Sequence, residues 1–419
     1  MKVVLPIGSS LLVFETAVTS ILRVSESFEV DEVLLLVPKF ANNYLRDIIN
    51  FLQDIGFKIT INYEEITPDI SYDEIDKYLN DGGILVPSAS SVIYIIKFVS
   101  RATKLGNRIL HISFPFGPWL GLYYPYVPRF ILKIAGGKKE VRKVFDYNLA
   151  KQAIDKWLKN RELSKIIARE SLDYNIADDK NYLEDEDVEL CLTREGKVNT
   201  EGKDCILNLR ADKNWNLVSL TSDGKSVTFL DFLKEFKDSN TKEGTVRSLA
   251  GELGLYSIGV MLDDEKYNIR ELSKKFRGII VDTNLIYNGI ALYPDLNLLL
   301  PYCAYVEVSN NRASIKRRRS TKVERAVEDL AWIETQEILS RFGIIPTQTF
   351  FCDAIMSMID PLLLRDTLIL TDDEGAYNHW RNVITNATVG KLYLEEEKNG
   401  AYLSYSLLLL SWVMRNYLK

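Results

Sequence analysis

Between residues 1 and 135 the chain alternates short apolar runs with amphipathic stretches. KVVLPIG at 2–8, VDEVLLLVP at 30–38, FKITINY at 57–63, GGILVPS at 82–88 and NRILHISFP at 107–115 have the length and residue types of strands. Segments 41–55, 72–80 and 90–105 between them predict helices. That alternation predicts βαβ units around a parallel sheet, hence a Rossmann-like domain over residues 1–138. The aromatic, Gly- and Pro-rich stretch 117–130 reads as a sheet edge or a dimer surface. From 139 to 175 apolar positions recur at three and four, a helical pattern, and the acidic stretch 177–190 reads as a solvated connector. Short strand-like runs over 188–236 predict a small β-rich insertion, and after the polar gap 239–245 a helical run leads up to GIIVDTN. Residues 278–419 again alternate strand and helix. The fold class is therefore α/β, with a connector over 139–270 and a second α/β domain over 271–419.

Composition narrows the function classes. A chain of 419 residues is too long for one hydrophobic core, and 47% hydrophobic with 26% charged residues places it among folded proteins rather than disordered ones. The net charge of −6 gives no global field for nucleic acid. Any such contact needs a local patch, and KRRRSTK at 316–322, with Arg317, Arg318 and Arg319, is the candidate. The four cysteines have no CxxC spacing and only two histidines accompany them, which argues against a Cys/His zinc site; buried thiols are expected. No secretory leader pattern opens the chain and no apolar run reaches membrane-spanning length, so a cytoplasmic protein without a membrane partner is expected. The apolar stretch 402–414 reads as a core helix.

Carboxylates carry the chemistry. Asp282 follows the β-branched run Ile279-Ile280-Val281, where it can cap the next helix or face a ligand at the carboxyl end of a sheet. Three further acidic positions share that attachment to apolar structure. Glu307 lies in or just after LLLPYCAYV, Asp353 opens an apolar helix, and Asp372 and Asp373 end the run DTLIL. Carboxylates gathered in one buried place need a compensating cation, and oxygen ligands suit Mg²⁺ or Mn²⁺.

These segments resemble the four acidic motifs of PIN-domain nucleases. IIVDTNLI, VEV, CDAIMSMID and LILTDDEGA match in order, over residues 277–390. The resemblance implies that Asp282, Glu307, Asp353 and Asp373 are the catalytic and metal-binding carboxylates, with Asp372 a further candidate ligand. Thr283, Asn284 and Thr371 would support them. Glu324, Glu328 and Asp329 on the following helix compete for the place of Glu307. The implied chemistry is Mg²⁺- or Mn²⁺-assisted cleavage of single-stranded RNA.

The N-terminal half carries two hydroxyl-rich turns after strands, PIGSSL with Ser9 and Ser10, and VPSASS with Ser88, Ser90 and Ser91. Bare turns of this kind cap helices or present donors to phosphate. Their arrangement is similar to the CRISPR-associated Rossmann-fold sensor, the CARF domain. That resemblance implies a homodimer in which these serines contact a cyclic oligoadenylate. PSASS lacks that family's paired glycines and following cation, the nearest being Lys97. A HEPN effector, the usual partner of such sensors, needs an Arg four to six residues before a His; neither His111 nor His379 has one.

Together the resemblances imply a cyclic-oligoadenylate-regulated endoribonuclease of type III CRISPR defence. The alternative is a non-catalytic, nucleotide-sensing regulator with a degenerate PIN-like or RNA-binding C-terminal domain.

Overall fold

The fold is that of a computed structural model describing residues 1–8, 13–80, 82–113, 132–136, 142–176, 187–199, 202–212, 216–347, 352, 356–396 and 402–419. It divides into two compact units, residues 1–159 with 168–188, and residues 160–167 with 189–419.

In the first unit five parallel strands lie in the order Thr60–Ile66, Glu32–Pro38, Lys2–Pro6, Ile84–Leu85, Arg108–Ile109. In chain order this is 3-2-1-4-5, the doubly wound arrangement that the alternation predicted. The predicted helices are present as Asn42–Asp54, Tyr72–Leu79 and Val92–Leu105. Ser71 starts the second of these with a capping box, its hydroxyl accepting from the Glu74 N–H while the Glu74 carboxylate accepts from Ser71 N–H. One face of the sheet buries Val4, Leu34, Leu36 and Leu85 against Ile75, Leu79, Tyr94 and Phe98. The helix Val13–Ser27 was not among the expected elements, although Glu15, Thr16, Thr19, Ser20, Arg23 and Glu26 recur at helical spacing; in the fold this polar face is buried along with the apolar one.

In the second unit seven strands form one sheet in the order Glu265–Asn268, Tyr256–Leu262, Thr388–Glu396, Thr367–Thr371, Gly278–Val281, Leu298–Pro301, Ile344–Ile345. The last five are parallel, and in chain order they again run 3-2-1-4-5 counted from Ile344–Ile345. The first two form an antiparallel hairpin added to Thr388–Glu396. This hairpin corrects the expected helical run before GIIVDTN. A helix does occur there, Glu243–Glu252, but YSIGVML is strand-forming, and Asp263 and Asp264, at φ 48° and 67°, supply the two left-handed residues of a tight hairpin turn. One face of the sheet buries Ile280, Ile369 and Val389 against Met356, Ile359 and Trp380.

A second, five-stranded sheet is built from Val188–Thr193, Val198–Asn199, Cys205–Ala211, Leu217–Ser222 and Lys225–Ser226, the β-rich insertion expected from the sequence. The apolar stretch near the C-terminus is a buried helix, Tyr402–Val413. No helix among the described residues is long and apolar enough to cross a membrane. The expected free thiols are instead paired, Cys191 with Cys205 and Cys303 with Cys352. The first pair joins neighbouring strands of the insertion. The second joins residues 49 apart, a connection that spacing alone does not reveal. Residues 114–131 and 177–186, the aromatic stretch and most of the acidic connector, lie outside the described residues.

Candidate active site

In an open α/β sheet the strand order reverses between the first and fourth strands, and the crevice outside their carboxyl ends is where ligands bind. In the second unit those strands are Gly278–Val281 and Thr367–Thr371. Their register pairs Val281 with Leu370, which brings the next residues, Asp282 and Thr371, to the edge side by side.

Thr371 is fully buried and organises the edge. Its hydroxyl donates to Asp282 Oδ2 at 2.7 Å and accepts from Asn284 Nδ2 at 3.2 Å and from the Asp373 N–H at 3.0 Å. Asn284 returns along the other side, its Oδ1 accepting from the Asp372 N–H at 3.2 Å. Asp282 is 5% exposed, and its Oδ1 accepts from the Thr283 N–H at 2.7 Å. It therefore caps the helix Thr283–Ile286, the first of the two roles the sequence offered, from the carboxyl end of its strand. The Thr283 hydroxyl donates to Glu307 Oε2 at 2.9 Å, drawing in the helix Tyr302–Arg317. Asp373 caps the helix Glu374–Val383 by accepting from the Ala376 N–H at 2.7 Å. Two threonine hydroxyls and one amide thus hold Asp282, Glu307, Asp372 and Asp373 on three neighbouring segments.

The rivals of Glu307 are engaged elsewhere. Glu324 completes the capping box of Thr321, Asp329 accepts from Arg312 and Tyr417, and Glu328 accepts from the Tyr287 hydroxyl at 2.7 Å. Asp353 lies outside the described residues. The residue before it, Cys352, is bonded to Cys303 in the first turn of the helix that carries Glu307.

Asp372 is exposed as a residue, yet its carboxyl stands in a partly enclosed mouth, where desolvation raises it above the usual carboxylate range. Lys391 and Arg247 oppose that rise, while Asp373 reinforces it. Lys391 pairs with Glu374 and lies beside Thr371 in register. The donor set at the edge is all oxygen, which fits a hard divalent cation rather than zinc. Among the described residues, no group of three or more His, Cys, Asp or Glu is arranged to hold a metal ion.

Two features had no signature in the sequence. Glu252 and Glu334 are 0% exposed, without a hydrogen-bond partner for any of their four carboxyl oxygens. Burial and their mutual repulsion push Glu252 well above the usual range, and burial does the same for Glu334. A cavity of about 400 Å³ adjoins the edge, with Arg247 and Asn288 in its wall. The basic cluster Arg317, Arg318 and Arg319 is exposed where one helix ends and the next begins, Arg318 pairing with Glu324.

In the first unit the corresponding crevice lies between Lys2–Pro6 and Ile84–Leu85, and the segments 7–8 and 86–91 leave from it. The Gly8 N–H donates to the Ala89 carbonyl at 2.8 Å. A Cβ on Gly8 would stand 2.5 Å from Ser91 N, so only glycine allows the turns to meet this closely. Ser88 accepts from the Ile112 N–H at 2.7 Å, Ser90 donates to the Pro6 carbonyl, and Ser91 precedes the helix Val92–Leu105 without a side-chain cap. Ser9 and Ser10 lie outside the described residues.

A scan against protein-family models finds no match for this chain, and neither does a search of curated proteins.

Proposed function

We propose that the carboxylate edge of the second unit is the active site of a metal-dependent endoribonuclease acting on single-stranded RNA. The observation that carries this reading is the Thr371 hub, which gathers Asp282 and Asp373 where the strand order reverses, with Glu307 joined through Thr283. Asp282, Glu307, Asp373 and Asp372, with Asp353, would hold Mg²⁺ or Mn²⁺. When bound, the metal supplies an activated water and neutralises charge developing on the phosphoryl oxygens. Thr371 and Thr283 fix the carboxylates before substrate arrives, Asn284 orients the Asp372 segment, and Lys391 and Arg247 offset the crowding of negative charge. No side-chain nucleophile is required. Arg317, Arg318 and Arg319 would guide the RNA backbone.

The first unit would act as the sensor, binding a cyclic oligoadenylate at the Gly8 and Ser88–Ser91 turns and regulating the nuclease in CRISPR defence. Support for a homodimer comes from the helix that follows these turns, which exposes Val92, Ile93 and Ile96 to 70%, 64% and 63%. We place the protein in the cytoplasm, where disulfides are uncommon outside hyperthermophiles, so thiol labelling in intact cells tests that placement.

The decisive experiment is a fluorescent RNA cleavage assay with Mn²⁺, with EDTA, with Asp282→Asn, and with added cyclic tetra- or hexa-adenylate. Cleavage that EDTA and Asp282→Asn both abolish sustains the enzyme, and acceleration by a cyclic oligoadenylate sustains the sensor. RNA binding without cleavage in any metal favours the regulator. One observation favours that second reading, namely the absence of a ready three-carboxylate group among the described residues.

A further inference from the structure

The cavity beside the carboxylate edge lies within one wall of the helix Glu243–Glu252 and one of the turn that follows Asp282. Arg247 and Ser248 face it from the helix, Asn284, Tyr287 and Asn288 from the turn, and Asp372 from the edge itself. Its volume of about 400 Å³ lies in the range of small-ligand pockets, roughly 300–1,000 Å³. The two walls touch backbone to backbone, at a distance only glycine allows. A Cβ on Gly251 would meet Asn288 Cα at 2.9 Å, and one on Gly289 would meet the Gly251 carbonyl oxygen at 2.3 Å. The Tyr287 hydroxyl is tied down twice, donating to Glu328 and accepting from Asn311 at 3.1 Å.

The lining has a particular chemistry. Arg247 is exposed and has no hydrogen-bond or ion-pair partner among the described residues; its electrostatic neighbour is Asp372. An unpaired guanidinium at the mouth of a polar pocket is suited to a phosphate, which it can grip with two parallel N–H bonds. Asn284 and the Tyr287 hydroxyl are held by protein partners, whereas the Ser248 hydroxyl, which donates and accepts, and the Asn288 side-chain oxygen, which accepts, have no hydrogen-bond partner among the described residues and can meet a ribose 2′-hydroxyl. Asn284 and Asp372 belong both to this pocket and to the carboxylate edge, so an occupant here is continuous with whatever the carboxylates act on.

We propose that this pocket seats one ribonucleotide of the RNA strand next to the scissile phosphate, with Arg247 binding its phosphate and the amide-lined wall selecting ribose over deoxyribose. The proposal rests on the nuclease reading and names a substrate subsite for it. Arg247 is a binding residue that grips the neighbouring phosphate and not the reacting one.

The test uses the full chain in EDTA, where nothing is cut, and measures anisotropy of fluorescein-labelled U10 RNA and its deoxy counterpart. Arg247→Ala is expected to weaken RNA binding about tenfold. It should also lower the slope of log affinity against log salt by about 0.7, one phosphate contact on a single strand. Arg247→Lys should recover the salt slope but only part of the affinity. In Mn²⁺, Arg247→Ala should raise KM by a larger factor than it lowers kcat. The deoxy strand should bind more weakly to the wild type. An unchanged affinity and slope in Arg247→Ala overturns the subsite while leaving the nuclease standing if RNA is still cut. RNA that binds through Arg247 but is never cut keeps the subsite and removes the nuclease. A wild type that neither binds nor cuts RNA overturns both.

Discussion

The two parallel sheets of this protein share a strand order and put small polar residues at the same topological position, yet they spend those residues differently. At the crossover of the first sheet, Ser88 and Ser90 satisfy backbone groups, the Ile112 N–H and the Pro6 carbonyl. At the crossover of the second, Thr371 spends its donor on the carboxylate of Asp282 and its acceptor capacity on Asn284 and Asp373. A hydroxyl bonded only to main chain closes a turn, whereas one that also bonds side chains aims them. Topology gives each sheet a crevice. Whether the crevice has chemistry depends on what its hydroxyls hold.

The contrast is broken most severely at Asp282. Asp282→Asn removes the charge and, with a single acceptor oxygen, can keep either the bond from the Thr283 N–H or the one from Thr371 but not both, so RNA cleavage in Mn²⁺ should fall on the order of 10³-fold, several kcal/mol of transition-state stabilisation, with the fold intact by circular dichroism. Thr371→Val removes the donor that aims Asp282 together with the acceptor for Asn284 and the Asp373 N–H, and a loss of about 10- to 100-fold is expected, largely restored by Thr371→Ser. If the valine variant cleaves as the wild type does, the hub is structural. In the first sheet, Ser88→Ala leaves the Ile112 N–H without its acceptor and should cost about 1–3 kcal/mol in denaturant unfolding. Its basal RNA cleavage should not change, and a large catalytic effect would erase the difference between the two edges.

The smallest effect separates the edge carboxylates from Glu252 and Glu334. Their folded-state pKa values lie above the unfolded ones. They therefore contribute stability that is complete below about pH 4 and lost as pH rises through the folded pKa. The double variant Glu252→Gln, Glu334→Gln should melt at a higher temperature than wild type at pH 8 and show a flatter dependence of melting temperature on pH. A lower melting temperature at pH 8 would mean that the pair has a cationic partner.

The parallel sheets were legible because their strands are short, apolar and separated by amphipathic runs, a local signal. So was Thr371, since its place in LILTDD precedes the paired aspartates by one residue. The hairpin Tyr256–Asn268 was missed because its turn is Asp-Asp rather than a glycine-containing pair. Glu252 and Glu334 look like ordinary helix residues until packing removes their water. Arg247 stands 35 positions before Asp282, and only the folded sheet and helix bring it to the same cavity. Neither cysteine pairing had a local cue, because the partners meet through tertiary structure.

The Cys303–Cys352 link encloses two long helices, Tyr302–Arg317 and Lys322–Phe342, in a covalent ring. Closing a loop of 49 residues removes roughly 4 kcal/mol of freedom from the unravelled chain. A molecule melted by heat, with that ring unbroken, would still keep the stretch leading to Asp353 leashed to the one that bears Glu307. Reducing agent would cut the leash, and refolding would then have to find that neighbourhood by search.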